Sequence, residues 1–140
     1  MSGQSFGTKN ETIPKTGGFL VWEQEYDYSR GVYQLEAGAS VAAGQVVGVV
    51  TVSGEVKARD AAAGDGSEVA FGIARQAVDN TAGVTPVDIV LFDSDCLVNE
   101  LMVTYDTGVV PADIASSKTQ LLARGIKGRT GPTRTEVFPL

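Results

Sequence analysis

Glycine interrupts a run of valines in residues 45–52, QVVGVVTV, and this pattern limits the fold more than any other stretch of the chain. Valine is β-branched and favours strands, whereas glycine weakens a helix interior. A short apolar run bounded by turn residues predicts a buried strand, and SGE at 53–55 predicts the tight turn after it. VKAR, residues 56–59, then predicts the return strand of a hairpin.

Further strands are predicted on both sides of this hairpin. Residues 31–38, GVYQLEAG, alternate with the two-residue period of a half-buried strand. VAFGIARQAV at 69–78 and VDIVLFD at 87–93 predict two later strands, and Gly72 in the first indicates a bulge or a close backbone approach. Residues 96–105, CLVNELMVTY, are compatible with a strand or a helix.

One helix is predicted, over about residues 111–124, because Pro111 stands at its start and Gly125 just past its end. Residues 125–140 are predicted to form an irregular basic tail. The order of elements excludes a doubly wound parallel sheet, since strands and helices do not alternate. We therefore predict a mainly β fold, a compact β-clip-like or β-barrel-like domain over residues 19–140, with an extended N-terminal arm and one C-terminal helix.

The predicted arm is residues 1–18. Its large apolar residues are the isolated Phe6 and Ile13, too few to offset the entropy of ordering the segment. The arm has neither the basic start nor the apolar stretch of a secretion signal, so we expect the chain to be made in the cytoplasm. No apolar run approaches the roughly 20 residues of a membrane span, and no membrane partner is expected.

The charge of the chain is uneven. Its net charge is −6, but residues 124–140 hold four basic residues and one acid, a balance of +3, which leaves −9 for residues 1–123. An acidic body disfavours nucleic-acid binding, which requires clustered Lys and Arg. The basic tail is either a solvated end or a contact for an acidic partner or neighbouring subunit.

Catalytic and cofactor chemistry has little support in the sequence. The chain has no histidine and one cysteine, which disfavours triad hydrolases, most zinc sites and an internal disulfide framework. Asp93 and Asp95 could hold a divalent ion but have no obvious third ligand, and Cys96 is interpreted as a small apolar filler. We expect no catalytic residues, no metal and no cofactor. A small β-barrel binding or carrier module, lipoyl-like with Lys57, is the alternative function.

FLVW at residues 19–22 follows the polar arm directly. Four large apolar residues at this point predict either the first core strand or a strand that completes a sheet in another protein. The pattern alone does not separate the two.

Taken together, the order of short motifs resembles that of the phage lambda-type head decoration protein family over about residues 17–103. The motifs that carry the resemblance are Ser29-Arg30, Ala43-Gly44, Gly48, Gly54, Asp65-Gly66-Ser67, Gly72-Ile73 and Ala77-Val78-Asp79. Each is weak alone, and the specificity lies in their order and spacing. The segment after Tyr105 is longer than expected for the family.

The resemblance implies a structural virion protein rather than an enzyme. It implies a homotrimer on the outside of an expanded head, at threefold and quasi-threefold positions, that stabilises the shell against the pressure of packaged DNA. The implied partner is the major capsid protein of a tailed phage, with which the arm pairs as a strand. The candidate capsid-binding residues are Ile13, Pro14, Phe19, Leu20, Val21 and Trp22.

Overall fold

A computed structural model of the chain describes residues 19–23, 29–105 and 110–129. The predicted arm, with Ile13 and Pro14, lies outside these ranges, and so do residues 130–140 of the predicted tail. The described residues form ten strands, one α-helix and a 3-10 helix at Glu100–Met102. The strands and helix are β1 (Leu20–Glu23), β2 (Arg30–Leu35), β3 (Ser40–Val41), β4 (Val46–Val49), β5 (Val56–Ala58), β6 (Gly72–Ala74), β7 (Val78–Asp79), β8 (Val87–Phe92), β9 (Cys96–Asn99), α1 (Pro111–Leu122) and β10 (Ile126–Arg129).

Five strands close a barrel in the order β2-β5-β4-β6-β8. The predicted hairpin is confirmed, because β4 and β5 pair antiparallel with Gly48 opposite Lys57. The alternation predicted for β2 is also confirmed: Leu35 is buried inside the barrel while Val32 is 67% exposed. The first core is apolar and combines side chains of the barrel strands with one from β3; it consists of Leu35, Val41, Val47, Val56, Ala74, Ile89 and Leu91. The mainly β, barrel-like prediction is therefore correct.

At two glycines in the barrel, the backbone of another segment lies so close that a side chain would not fit. A Cβ on Gly72 would lie 2.9 Å from the carbonyl oxygen of Phe92, which confirms the predicted close approach. At Gly48 a Cβ would lie 2.2 Å from the carbonyl oxygen of Ser67. The loop that contains Ser67 therefore lies directly over β4, and only a residue without a side chain fits beneath it.

A second sheet packs on the outside of the barrel in the order β1-β9-β10. Its middle strand, β9, pairs antiparallel with β1 and parallel with β10. Residues 96–105, left open by the sequence, form β9 and then the 3-10 helix. The second core lies between this sheet, α1 and the barrel, and consists of Phe19, Val46, Ala70, Ile73, Phe92, Cys96, Val98, Val103, Tyr105, Leu121 and Ile126.

The predicted helix is confirmed as α1, but two other predictions need correction. The prediction of an irregular tail is wrong for Ile126–Arg129, which forms β10. This strand is only four residues long and contains a glycine, so its pairing with β9 decides its structure. The single strand predicted over residues 69–78 is two strands: β6 belongs to the barrel, and β7 leaves it to pair with β3.

Candidate interaction surface

The outer face of the β1-β9-β10 sheet carries a row of apolar and basic side chains. Trp22 lies opposite Leu97 across β1 and β9, and Leu97 lies opposite Lys127 across β9 and β10. Cross-strand partners point to the same face, so the three side chains are neighbours. Trp22 is 55% exposed, Leu97 is half-buried and Lys127 is exposed. We call Trp22, Leu97 and Lys127 the outer row.

The opposite face of the same sheet is part of the core. Cys96 and Ile126 are opposite each other, and both are about 2% exposed. Arg129 is two residues after Lys127 in β10, so its side chain is on the same outer face, and it is also exposed. The sheet is therefore apolar on its inner face and presents one tryptophan and two basic side chains outward.

Strand β1 is an edge of this sheet, since within the described ranges it pairs with β9 alone. The register between β1 and β9 shifts between Leu20 and Trp22, which indicates a bulge at Val21. Val21 is 52% exposed. An open edge offers main-chain N–H and C=O groups to a strand from a partner.

The structure describes four of the six predicted contact residues, and these four divide into two pairs. Phe19 is buried and packs edge-on against Phe92 at 5.6 Å between ring centroids, and Leu20 packs against the same core. Val21 and Trp22 are the exposed pair. Phe19 and Leu20 therefore act as a first core strand, while Val21 and Trp22 remain available for contact. The core alternative therefore holds for Phe19 and Leu20, and pairing with another protein stays a prediction for Val21 and Trp22.

An ion pair joins β1 to the barrel. Arg30, at the start of β2, donates to both carboxylate oxygens of Glu23, with Nη2 at 2.5 Å from Oε1 and Nε at 2.9 Å from Oε2. The hydroxyl of the buried Ser29 also donates to Glu23. The hydrogen bonds from Arg30, with a smaller contribution from Ser29, hold the pKa of Glu23 below its ordinary value. These bonds orient β1 relative to the barrel.

We expect Glu23→Gln to lower the free energy of unfolding by about 2 kcal/mol at pH 7, because it removes a largely buried charged pair. The folded pKa is lowered, so the ion pair stabilises the protein fully above the ordinary value of 4.5. That stabilisation is lost as the pH falls through the folded pKa. Urea denaturation of both proteins from pH 7 to pH 3 should show the difference shrink.

The matched control for this experiment is Asp88→Asn, on the exposed outer side of β8. It should change the free energy of unfolding by less than about 0.5 kcal/mol. A difference between wild type and Glu23→Gln that stays constant over the whole pH range would contradict the assigned role of Glu23.

The other candidate sites from the sequence have structural explanations. Asp93 accepts a hydrogen bond from the Tyr33 hydroxyl, and Asp95 occupies a turn with φ +48°. Across the parts of the chain that the structure describes, no three His, Cys, Asp or Glu side chains could hold a metal together. Cys96 is buried as predicted, and burial raises the pKa of its thiol to about 12. Lys57 lies within β5, paired with Asp65 at 2.8 Å, rather than at a hairpin tip where a carrier lysine would stand.

The predicted basic tail has two kinds of side chain. Arg124 faces inward: its guanidinium lies 4.0 Å from the centroid of the Phe71 ring, and its Nε donates to the carbonyl of Asp93 at 3.0 Å. Lys127 and Arg129 instead lie on the outward sheet face. Sequence reasoning missed Leu97 as a neighbour of Trp22, because no local pattern connects strands so far apart in the chain.

A comparison with models of protein families identifies the family of this chain. The family model described as bacteriophage lambda head decoration protein D matches residues 8–126. The chain belongs to this family. The match confirms the resemblance drawn from the short motifs and extends it through α1.

This head decoration protein is thus a structural protein of the phage virion that binds the capsid, and not an enzyme. The family match includes most of the predicted arm and ends at the first residue of β10. A search of curated proteins found no match to the chain. None of the helices in the described ranges is long and apolar enough to cross a membrane.

Proposed function

We propose that this protein forms a homotrimer on the outside of the expanded head, at threefold and quasi-threefold positions, and stabilises the shell against the pressure of packaged DNA. The partner is the major capsid protein. The observation that carries the proposal is the position of β1: an edge strand with exposed Val21 and Trp22, which follows directly on the arm.

The arm and β1 act together in this proposal. Residues 1–18, including Ile13 and Pro14, pair as a strand with the major capsid protein, and main-chain hydrogen bonds supply the affinity. An extended segment of this length reaches up to about 60 Å, enough to contact a neighbouring capsid subunit. Ordering one arm costs conformational entropy, so a single arm binds weakly. Three arms on one trimer bind with strong avidity.

The outer row contributes a second contact beside the arm. A tryptophan next to a leucine, with basic side chains at its border, has the composition of an interface hot spot surrounded by polar residues. Lys127 and Arg129 favour an acidic surface on the partner. We propose that Trp22 packs into a pocket of the major capsid protein when the arm pairs.

Trp22→Ala should therefore reduce capsid binding more than it reduces folding. We expect at least about a 30-fold loss of affinity for expanded shells, typical of a tryptophan hot spot. The free energy of unfolding should fall by less than about 1 kcal/mol, since Trp22 is 55% exposed. Val52→Ala, at a site 95% exposed on the β4–β5 turn, is the matched control. Equal losses of binding and stability for Trp22→Ala would place its role in the fold.

Three measurements test the proposed function as a whole. Sedimentation equilibrium should give the mass of a trimer, for the protein in solution or for the protein released from particles. Co-sedimentation should show saturable binding to expanded shells and little binding to unexpanded ones. Decorated shells should also lose less DNA on heating than bare shells. Binding to both kinds of shell alike, or no effect on DNA retention, would contradict the proposal.

A further inference from the structure

A pocket of about 180 Å³ opens at the margin of the second core, between α1, β10 and the 3-10 helix. Its wall is mainly apolar and includes Val98, Leu121, Leu122 and Ile126. Leu122 is 58% exposed, although it lies beside the fully buried Leu121. The pocket is therefore a depression beside the second core, with Leu122 exposed at its border while Val98, Leu121 and Ile126 remain buried.

Basic side chains border the pocket. The Nζ atom of Lys118 lies 2.8 Å from Oε1 of Glu100 and 5.2 Å from the centroid of the Tyr105 ring. The charge of Lys118 is therefore already partly compensated by Glu100. Lys127 belongs to the outer row, but β10 is the edge strand beside the pocket, so this exposed residue also borders the pocket opening. A ligand for this site would combine an apolar group for the wall with a negative charge for Lys127.

The chain itself supplies such a ligand directly after β10. Residues 130–140 read TGPTRTEVFPL, with Val137, Phe138 and Leu140 as the large apolar residues and Glu136 just before them. The Gly131-Pro132 pair favours a turn, which would reverse the chain at the end of β10. Phe138 comes nine positions after Arg129, and the resulting reach of up to about 30 Å is ample for a pocket that Gly128 helps to line.

We propose that residues 136–140 fold back onto their own chain, with the Phe138 ring in the pocket and Glu136 beside Lys127. An apolar cavity of about 150 Å³ holds a benzene molecule, so the pocket is large enough for a phenyl ring. In an extended segment, residues two apart point to the same side, which places Glu136 and Phe138 together. The short tether gives this segment a high local concentration at its own pocket.

Docking of this segment would fill the pocket beside the second core and cover Leu122. The segment lies beyond residue 126, where the family match ends, so the contact does not follow from the family match. It shares Lys127 with the outer row but involves neither β1 nor the arm, and its test measures a crosslink within the chain rather than capsid binding.

The test is a crosslink in the full chain. Leu122→Cys with Leu140→Cys keeps Phe138 and places two thiols at the border of the pocket; Cys96 is 2% exposed and does not compete. Mild oxidation should give an intrachain disulfide, detected by intact mass and by peptide mapping. The matched control, Val52→Cys with Leu140→Cys, places the first thiol on the distant β4–β5 turn and should crosslink at least about tenfold more slowly.

Adding Phe138→Ala to the Leu122→Cys, Leu140→Cys protein should slow disulfide formation at least about tenfold, because it removes the apolar group that docks. Thr133→Ala in the same background should leave the rate unchanged. An unchanged rate with Phe138→Ala, a rate for the main pair no higher than for the Val52 control, or disulfides only between chains would each overturn the proposal.

Discussion

Gly48→Ala is expected to destabilise the protein by about 3 kcal/mol or more, the upper range for overpacking a well-packed core. The added methyl group would lie 2.2 Å from the carbonyl oxygen and 2.6 Å from the Cα of Ser67. These are backbone atoms, so no side-chain rotation relieves the clash. Ser67 is buried, and its N–H donates to Asp65 at 3.0 Å, which holds the loop in place. Urea denaturation and thermal unfolding would measure the loss.

Gly64→Ala is the matched control, in the same loop. A Cβ at Gly64 meets no atom within 4 Å, and its backbone does not require a positive φ. It should be neutral or slightly stabilising, by less than about 1 kcal/mol. Similar stabilities for the two variants would show that residues 60–68 do not lie against β4 in solution.

Removal of residues 1–18 is expected to abolish decoration of expanded shells and to leave a folded domain. The deletion ends before Phe19, because Phe19 is 3% exposed and belongs to the core. If the proposed trimer binds through its three arms, their loss should reduce the apparent affinity at least about a hundredfold, since avidity is lost with them. Co-sedimentation with expanded shells measures binding, and thermal unfolding measures the fold.

Two companion variants make the deletion informative. Removal of residues 1–22 also takes away Phe19 and β1, and loss of a core phenylalanine alone costs about 3–5 kcal/mol, so this variant should lose stability as well. A chain with residues 1–18 in scrambled order retains the length, composition and charge of the arm. We expect it to bind poorly, because the order around Ile13 and Pro14 has changed. Undiminished decoration by the 1–18 deletion would mean that the arm has no part in binding.

Local patterns predicted much of the barrel and the helix. Each of the correct predictions rests on a short stretch of sequence, where side-chain period and turn chemistry decide the structure. These stretches are the alternation in β2, the valine–glycine pattern of β4, and Pro111 and Gly125 at the two ends of α1. The error at β10 has the opposite cause. IKGR has no strong strand preference, and 26 residues lie between it and the parallel partner β9 that stabilises it.

The candidate surface depended still more on tertiary structure. The FLVW pattern predicted either a core strand or a partner-binding strand at residues 19–22. Only the packing of Phe19 against Phe92 showed that Phe19 is buried while Trp22 is exposed. Leu97 and Lys127 become neighbours of Trp22 through strand pairing alone. The register of that pairing also decides which face each side chain occupies, since a shift of one residue would reverse it.

The sequence by itself determined a mainly β fold with one C-terminal helix and, through the order of its short motifs, membership of the head decoration protein family. Tertiary structure alone decided the β1-β9-β10 sheet, the outer row on its exposed face and the open pocket beside β10. The physical reason is the range of the interactions. Period, turn chemistry and motif order act between near neighbours, whereas these surfaces form where strands from distant parts of the chain exchange hydrogen bonds and exclude water together.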